Sequence, residues 1–212
     1  MQLKNNYWIF TKAISKTNCD KIIKACLKQS KIKGTVANSK LKLRARNCYV
    51  SWISEDWIYA LLNPFIHTAN RNANWNFQWD WNELSQFTEY TKNQFYEWHT
   101  DQDNKPYAAD NKMINLRNKI RKLSLTLQLT DPAEYDGGDF EFKWFDVEID
   151  LASEFQYSKQ KFDDKIKTVL VKEAKELGTI IIFPSFVWHR ITPITKGKRQ
   201  SLVNWSIGKP FI

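Results

Sequence analysis

The sequence is poor in the residues that build covalent and metal-bound frameworks. Its 212 residues include three cysteines, three histidines, six glycines and six prolines. The cysteines, Cys19, Cys26 and Cys48, form neither a CxxC pair nor a cluster with histidine, which excludes a disulfide framework and a structural zinc site. We therefore expect free thiols, with Cys19 and Cys26 buried on one helix face, and a reducing, intracellular setting.

Long apolar runs and low-complexity linkers are absent as well. Near the N-terminus, the apolar run Tyr7–Phe10 is too short for a secretory signal, and no stretch reaches the length of a membrane span. No internal repeat and no linker rich in Gly or Pro divides the chain. These absences predict one soluble, cytoplasmic domain over residues 1–212, with supporting helices and strands in 1–83 and the core in 84–212.

The chain carries a formal net charge of +9. Such an excess is found in proteins that bind nucleic acids or other polyanions. The lysines, however, are spread over several segments, for example 21–33 and 159–167, which is typical of a solvated surface. A polyanionic partner is the less favoured of the two interpretations, and the sequence leaves both open.

The periodicity of apolar residues predicts two helices followed by many strands. One helix should begin at Ser15 or Thr17 and run to about residue 29, and a second, over 55–71, should be capped by Ser54 and kinked or broken at Pro64. Strands are predicted at 7–13, 47–52, 75–81, 84–90, 95–101, 121–129, 139–144, 168–172, 179–183, 187–192 and 200–207. This order indicates an α+β chain with an antiparallel barrel or jelly-roll core.

A His-x-Asp pair lies in one of these strands, at His99 and Asp101. Residues two apart in a strand point to the same face, so the imidazole and the carboxylate should converge. With His189, they would complete the set of two histidines and one carboxylate that binds non-haem Fe(II). Arg199 and Ser201 share a strand face in the same way, and together they suit the binding of a carboxylate.

These residues, in this order, resemble the Fe(II)/2-oxoglutarate dioxygenase superfamily, and in particular its prolyl 4-hydroxylase-like branch with the bacterial PKHD-type hydroxylases. The segment from Tyr90 to Asp101 resembles the family's Tyr-x-x-Gly-x-x-Tyr-x-x-His-x-Asp pattern. The later strands of the family are resembled by the runs Arg121-Lys-Leu-Ser, Gln128-Leu-Thr-Asp-Pro, Gly137-Gly-Asp-Phe-Glu-Phe, Phe183-Pro-Ser-Phe, His189-Arg and Arg199-Gln-Ser-Leu-Val-Asn-Trp. The resemblance covers about residues 84–211.

The resemblance implies an iron enzyme. A double-stranded β-helix would hold Fe(II) through His99, Asp101 and His189, with O₂ as oxidant and ascorbate as the reductant that restores ferrous iron. The related halogenases lack the carboxylate ligand, so the presence of Asp101 implies hydroxylation rather than halogenation.

The resemblance also implies a place for the co-substrate. The keto acid end of 2-oxoglutarate would chelate the iron, and its distal carboxylate would meet Arg199, with Ser201 and Tyr90 as hydrogen-bonding neighbours. Tyr96 and Gln128 face the same cleft if the strand alternation holds, and they belong to the core if it does not.

Two features depart from the family pattern. Asn93 stands where the family usually has glycine, and because Asn tolerates a left-handed backbone, the turn can be kept. The charged segment 145–167 matches no part of the family core, which leaves an active-site flap and a surface elaboration as alternatives.

The implied reaction is hydroxylation of an unactivated C–H bond, with 2-oxoglutarate converted to succinate and CO₂. A prolyl or other residue of a peptide or protein is the substrate that the family suggests, and a small molecule is the alternative. Two other functions stay open: oxidative demethylation of nucleic acid, which the charge of +9 suggests, and a jelly-roll binding protein without catalysis. The complete triad argues against the last of these.

Overall fold

The computed structural model describes residues 3–34, 45–103, 105–145 and 166–211, so the segment 145–167 lies outside the described residues apart from its ends. Two α-helices lie in the described ranges, α1 at Lys16–Cys26 and α2 at Asp56–Asn72. The strands of the same ranges, β1 to β15 in chain order, are Trp8–Phe10, Ile32–Lys33, Arg46–Asn47, Tyr49–Ile53, Trp81–Asn82, Ser85–Tyr90, Phe95–His99, Ile120–Gln128, Tyr135–Gly137, Phe140–Phe145, Ile166–Leu170, Ile180–Pro184, Trp188–Ile191, Ile194–Gly197 and Arg199–Gly208.

These described strands form two antiparallel sheets and a short pair of β9 with β14. The larger sheet has the order β1-β12-β8-β15-β6-β4-β2, with β5 added to β15, and the smaller sheet has the order β11-β10-β13-β7-β3. Neighbours that are distant in sequence, such as β13 and β7, show that the chain crosses repeatedly between the sheets, as in a jelly roll. A buried cluster that includes Phe142 and Phe183 packs between them. The predicted α+β class with a jelly-roll core is confirmed.

Strand β8 shows how the larger sheet separates the helices from the interior of the jelly roll. Leu123, Leu125 and Leu127 are buried in the core that this sheet forms with α1 and α2. The intervening residues, among them Ser124 and Gln128, point to the opposite face because side chains alternate along a strand. The polar face of β8 therefore lines the interior.

Helix α1 begins where the sequence predicts. Ser15 caps it by accepting a hydrogen bond from the backbone N–H of Asn18 at 3.3 Å. Cys19 and Cys26 lie on its buried face, and all three cysteines of the chain are free and buried, as predicted.

Helix α2 differs from the prediction in its cap, and of the kink or break predicted at Pro64 it does not show the break. Its N-cap is Glu55, which makes no side-chain capping bond, and Ser54 does not cap it. Pro64 lies inside α2 without breaking it, because the neighbouring turns and the packed face hold the helix together despite the missing donor. Neither described helix is both long and apolar enough to span a bilayer.

The predicted strand over 75–81 is wrong except at its last residue, which begins β5. Asn74 and Asn76 have positive φ angles of 61° and 52°, and a left-handed backbone interrupts a strand. Trp75 and Phe77 are nevertheless buried in the core beside the helices. The alternation of aromatic residues here reflects burial of an irregular segment, which the period alone does not distinguish from a strand.

Glu89, in β6, links the larger sheet to the connection that follows α1. Its side chain is 5% exposed, forms an ion pair with Lys31 and lies 3.7 Å from Lys198. It also accepts a hydrogen bond from Gln200 Nε2 at 2.7 Å. Burial raises the pKa of the Glu89 carboxyl, but the hydrogen bonds and charges of these partners outweigh burial, and the net pKa is lowered.

The lowered pKa of Glu89 predicts a pH-dependent contribution to stability. Such a carboxylate stabilises the fold above its unfolded-state pKa of about 4.3, and the contribution is lost as the pH falls through the folded-state value. Glu89→Gln should therefore lower the free energy of unfolding in urea near neutral pH, and the deficit should shrink below about pH 4. Glu55→Gln, at the exposed start of α2, is the control. A deficit for Glu89→Gln that stays constant with pH would contradict the prediction.

Candidate metal centre and anion pocket

Two histidines lie next to each other on neighbouring strands of the smaller sheet. β13 pairs antiparallel with β7, and His189 is directly opposite His99. The Nε2 atoms of His99 and His189 lie 3.8 Å and 3.6 Å from the two carboxylate oxygens of Asp101. The structure thus brings the three predicted metal ligands together, with one ligating atom of each within 4.8 Å of the others.

Asp101 reaches this point from a bend that follows β7. The strand ends at His99, so the prediction that both residues share one strand is wrong in this detail. The backbone N–H groups of Asp101 and Gln102 both donate to Ser185 O at 2.9 Å, and Arg121 Nη1 donates to Asp101 O at 3.2 Å. Tertiary contacts, rather than strand geometry, therefore orient the carboxylate.

The backbone fixes which nitrogen each histidine presents to the centre. His99 Nδ1 lies 2.7 Å from Glu97 O, and His189 Nδ1 lies 3.0 Å from Val187 O. A carbonyl oxygen only accepts hydrogen bonds, so each Nδ1 carries a proton and each Nε2 is the nitrogen that faces the Asp101 carboxylate. Metal-binding imidazoles are oriented in this way by the partner of the other nitrogen.

Local charge favours the forms of these side chains that bind a metal. Burial lowers the pKa of His99, and the neighbouring His189 lowers it further. Burial raises the pKa of Asp101, but the two histidines, Arg121 and a hydrogen bond from Ser124 outweigh it and bring the value to about 2. A neutral imidazole and an ionised carboxylate are the states that ligate metal ions.

The donor set fits ferrous iron. Two imidazoles and one carboxylate are typical of non-haem Fe(II) sites, where further coordination positions stay open for co-substrate and O₂. Aromatic rings surround the set: the ring of Tyr96 stacks on His99 with centroids 3.4 Å apart, and the ring of Phe183 lies 4.6 Å from that of His189. Aromatic side chains therefore pack around the ligands on one side of the interior.

Arg199 lies in the same interior and is the candidate for an anion pocket. It is 2% exposed, its Nη1 donates to Ser201 Oγ at 3.2 Å, and its Nε has no hydrogen-bond partner. Its guanidinium carbon lies 5.8 Å from the centre of the Tyr90 ring, and no described carboxylate forms an ion pair with it. A buried guanidinium is costly unless an anion pairs with it, so the pocket fits the distal carboxylate of 2-oxoglutarate.

Gly138 leaves room for the Arg199 side chain. Its φ angle is +62°, and a Cβ atom there would lie 3.0 Å from Arg199 Cδ and 2.4 Å from Ile194 Cδ1. The second glycine of the Gly-Gly-Asp run therefore has a steric reason as well as a conformational one.

The two residues whose orientation the sequence left open both face the interior. Tyr96 contacts His99 through the ring stack, and Gln128 lies opposite Ser201 where β8 pairs with β15. Gln128 Nε2 donates to Thr130 O at 3.0 Å and to the Tyr135 hydroxyl at 3.2 Å, while its Oε1 has no partner. Tyr96 is a neighbour of the metal centre, and Gln128 is a neighbour of the anion pocket.

Arg121 is a site residue that the strand alternation does not reveal. Its Nε and Nη2 donate to the two Glu83 oxygens at 2.7 Å each, and its guanidinium lies 3.9 Å from the centre of the Trp205 ring. By alternation Arg121 would point with Leu123 toward the helices. The register of β8 against β15 shifts beside Ser206, which turns Arg121 toward Asp101 instead.

Arg46 is a buried arginine that, like the half-buried Arg121, the sequence does not single out. It is 7% exposed, and its guanidinium carbon lies 4.5 Å from the centre of the Tyr96 ring. In the sequence it ends a run of basic residues, Lys40-Leu-Lys-Leu-Arg-Ala-Arg, which is typical of a solvated surface. Only the pairing of β3 with β7 reveals its position beside the centre.

Comparison with known sequences identifies the family. The model of the 2OG-Fe(II) oxygenase superfamily matches residues 85–207. A PKHD-type hydroxylase from Alteromonas mediterranea is 28% identical over 120 residues, which are 56% of this chain and 41% of that protein. The chain thus spans less than half the length of this curated relative.

Comparison with solved structures shows the same fold. A prolyl-4-hydroxylase from Pseudomonas putida superposes with a TM-score of 0.65 at 15% identity, covering 96% of this chain and 93% of that chain. A prolyl hydroxylase from Trichoplax adhaerens, solved with a peptide fragment of hypoxia inducible factor, gives 0.60 at 13% identity, with 96% and 84% covered. Because the family model covers more than half of its length, the chain belongs to the 2OG-Fe(II) oxygenase superfamily.

Proposed function

We propose that the chain is an Fe(II)- and 2-oxoglutarate-dependent dioxygenase that hydroxylates a C–H bond of a peptide or protein residue, with proline as the first candidate. One observation carries the proposal: a centre of two imidazoles and an ionised carboxylate shares an interior with the buried Arg199, which has no described carboxylate partner. The peptide bound to the Trichoplax relative and the similarity to PKHD-type hydroxylases support the substrate class.

His99, Asp101 and His189 are proposed to hold the iron from one side. Iron and 2-oxoglutarate, when bound, supply the oxidative chemistry, in which O₂ converts the co-substrate to succinate and CO₂ and adds a hydroxyl group to the substrate. The protein contributes the open coordination positions and fixed ligand orientation. The backbone carbonyls of Glu97 and Val187 fix the orientation of the two imidazoles by accepting hydrogen bonds from their Nδ1 atoms.

Arg199 and Ser201 are proposed to bind the distal carboxylate of 2-oxoglutarate. The guanidinium offers a charge-assisted contact, and the hydroxyl that already accepts from Arg199 has its own proton to donate. Burial raises the pKa of Tyr90, so its hydroxyl stays protonated and can donate as well. The unpaired Gln128 Oε1 faces the same pocket and can accept a hydrogen bond from a bound water.

The aromatic rings of Tyr96, Phe140 and Phe183 are proposed to keep bulk water from the metal centre. Phe140 and Phe183 flank His189, with ring centroids 5.8 Å and 4.6 Å from the imidazole, and Tyr96 covers His99. Removing water from such a site strengthens its electrostatic interactions and protects reactive species.

Loss of a metal ligand should abolish turnover. Residues that only hydrogen-bond to metal ligands typically contribute about 10–100-fold to metal affinity or activity. Loss of a ligand itself should cost more, so His99→Ala or Asp101→Ala should reduce succinate formation by more than about 100-fold. Fe(II)-dependent succinate production and Mn(II) affinity are the two measurements. His67→Ala is the control because His67 stacks on Trp79 at 4.7 Å and belongs to no ligand cluster of the described residues. Undiminished turnover in both ligand variants would reject the proposed centre.

Loss of the Arg199 guanidinium should weaken co-substrate binding alone. Removing one partner of a buried charge pair costs about 2–5 kcal/mol, so Arg199→Gln should raise the dissociation constant for 2-oxoglutarate at least about 30-fold, with Mn(II) affinity unchanged. Calorimetric titration of the anaerobic Mn(II) protein measures both constants. Lys196→Gln removes an exposed positive charge nearby and should have little effect. Equal 2-oxoglutarate affinity in the wild type and Arg199→Gln would rule out this pocket.

A further inference from the structure

Arg46 is a buried cation whose described partners are all neutral. Its Nε donates to Cys48 Sγ at 3.0 Å, its Nη2 donates to Gln86 Oε1 at 2.5 Å, and the Tyr96 ring lies under its guanidinium. Burial raises the pKa of the Cys48 thiol and raises that of Tyr96 to about 12, so neither supplies a negative charge near neutral pH. No described carboxylate forms an ion pair with Arg46.

Without a counter-charge among the described residues, burial of the Arg46 guanidinium is energetically unfavourable. Taking a guanidinium out of water costs several kcal/mol, and hydrogen bonds to neutral acceptors return only part of it. The other arginines of the site differ, since the half-buried Arg121 has the Glu83 carboxylate and the buried Arg199 has the proposed co-substrate. Among the described residues, Arg46 therefore lacks the anion that its burial requires.

Arg46 lies on the wall of the proposed active site. Its guanidinium packs on Tyr96, which stacks in turn on His99 with ring centroids 3.4 Å apart. Gln86, which it contacts, lies on the interior face of β6 together with Tyr90. Arg46 thus stands one aromatic ring away from a proposed metal ligand.

When the metal and 2-oxoglutarate are bound, the positive charge of Arg46 has no counter-charge among the described groups of the site. A divalent metal and Arg199 together offset Asp101 and the two carboxylates of 2-oxoglutarate. Arg121 and Glu83 offset each other. Counting the described residues, one positive charge then stays unmatched beside the centre after the metal and the co-substrate have bound, which favours an anionic third component.

We infer that Arg46 binds a carboxylate of the primary substrate and that this carboxylate lies next to the reacting C–H bond. This role of Arg46 rests on the proposed function. The substrate class is then a carboxylate-bearing compound. The carboxylate belongs either to the hydroxylated residue itself, as in a free or C-terminal amino acid, or to an acidic side chain beside it in a peptide. A neutral internal residue without an acidic neighbour would leave Arg46 unpaired.

Ligand-observed NMR tests this inference without turnover. The anaerobic Mn(II) protein with 2-oxoglutarate is mixed with acid and amide pairs, and relaxation of ligand protons by the metal reports binding close to the centre. N-acetylproline with its amide represents a carboxylate on the reacting residue, and amidated Gly-Pro-Glu with amidated Gly-Pro-Gln represents an acidic neighbour. We expect the acid of at least one pair to bind about tenfold more tightly than its amide, the gain typical of a charged hydrogen bond.

Variants assign this preference to Arg46. Arg46→Gln should remove the difference between acid and amide, Arg46→Lys should keep part of it, and Arg71→Gln, at the exposed end of α2, should leave it unchanged although the net charge falls equally. Equal binding of acid and amide to the wild type in both pairs would overturn the inference, and this result requires no variant to fold. A weaker affinity of Arg46→Gln for 2-oxoglutarate, with the acid preference intact, would assign Arg46 to the co-substrate and likewise overturn it.

The inference and the proposed function fail in different ways. Calorimetry of the wild-type Mn(II) protein with 2-oxoglutarate alone tests the proposed function, because no binding there means no co-substrate pocket. Tight 2-oxoglutarate binding together with equal affinity for acid and amide leaves the proposed function in place and rejects the role of Arg46.

Discussion

The antiparallel pairing of β7 with β13 is the contact on which the rest of the site depends. It sets His99 opposite His189, so the strand register determines ligand position. The carbonyl two residues before each histidine, in Glu97 and Val187, then determines which ring nitrogen faces the centre. A shift of one residue would turn either histidine to the outer face. The remaining ligand joins them because Ser185, at the turn before β13, binds the backbone of the bend that carries Asp101.

The interior of the jelly roll is richer in cations than in anions. Among the described residues around the centre, Asp101 and Glu83 are the carboxylates, whereas Arg46, Arg121 and Arg199 supply guanidinium groups. Such an interior is prepared for anionic ligands before any of them binds, which reduces the reorganisation that binding requires. The net charge of +9 therefore has a local component inside the fold, in addition to the lysines on its surface.

The sequence predicts the parts of this site that short-range rules govern. Alternation along β8 separates core leucines from interior polar residues, and the spacing of His99, Asp101, His189 and Arg199 indicates iron and 2-oxoglutarate. Tertiary effects hide the rest: the register shift beside Ser206 turns Arg121 inward, and the left-handed residues before β5 interrupt an apparent strand. The burial of Arg46 has no local signal at all, because it depends on an edge strand joining β7.

The pairing of β7 with β13 also makes the centre depend on a contact between distant parts of the chain. His99 and His189 are far apart in the sequence, and strands that meet over such a distance pay a large loop-closure entropy before they gain contacts. A chain that has not closed this pair offers one histidine and one carboxylate, too few groups to hold a metal ion firmly. Retention of a metal ion by these three residues therefore reports that β7 and β13 have paired.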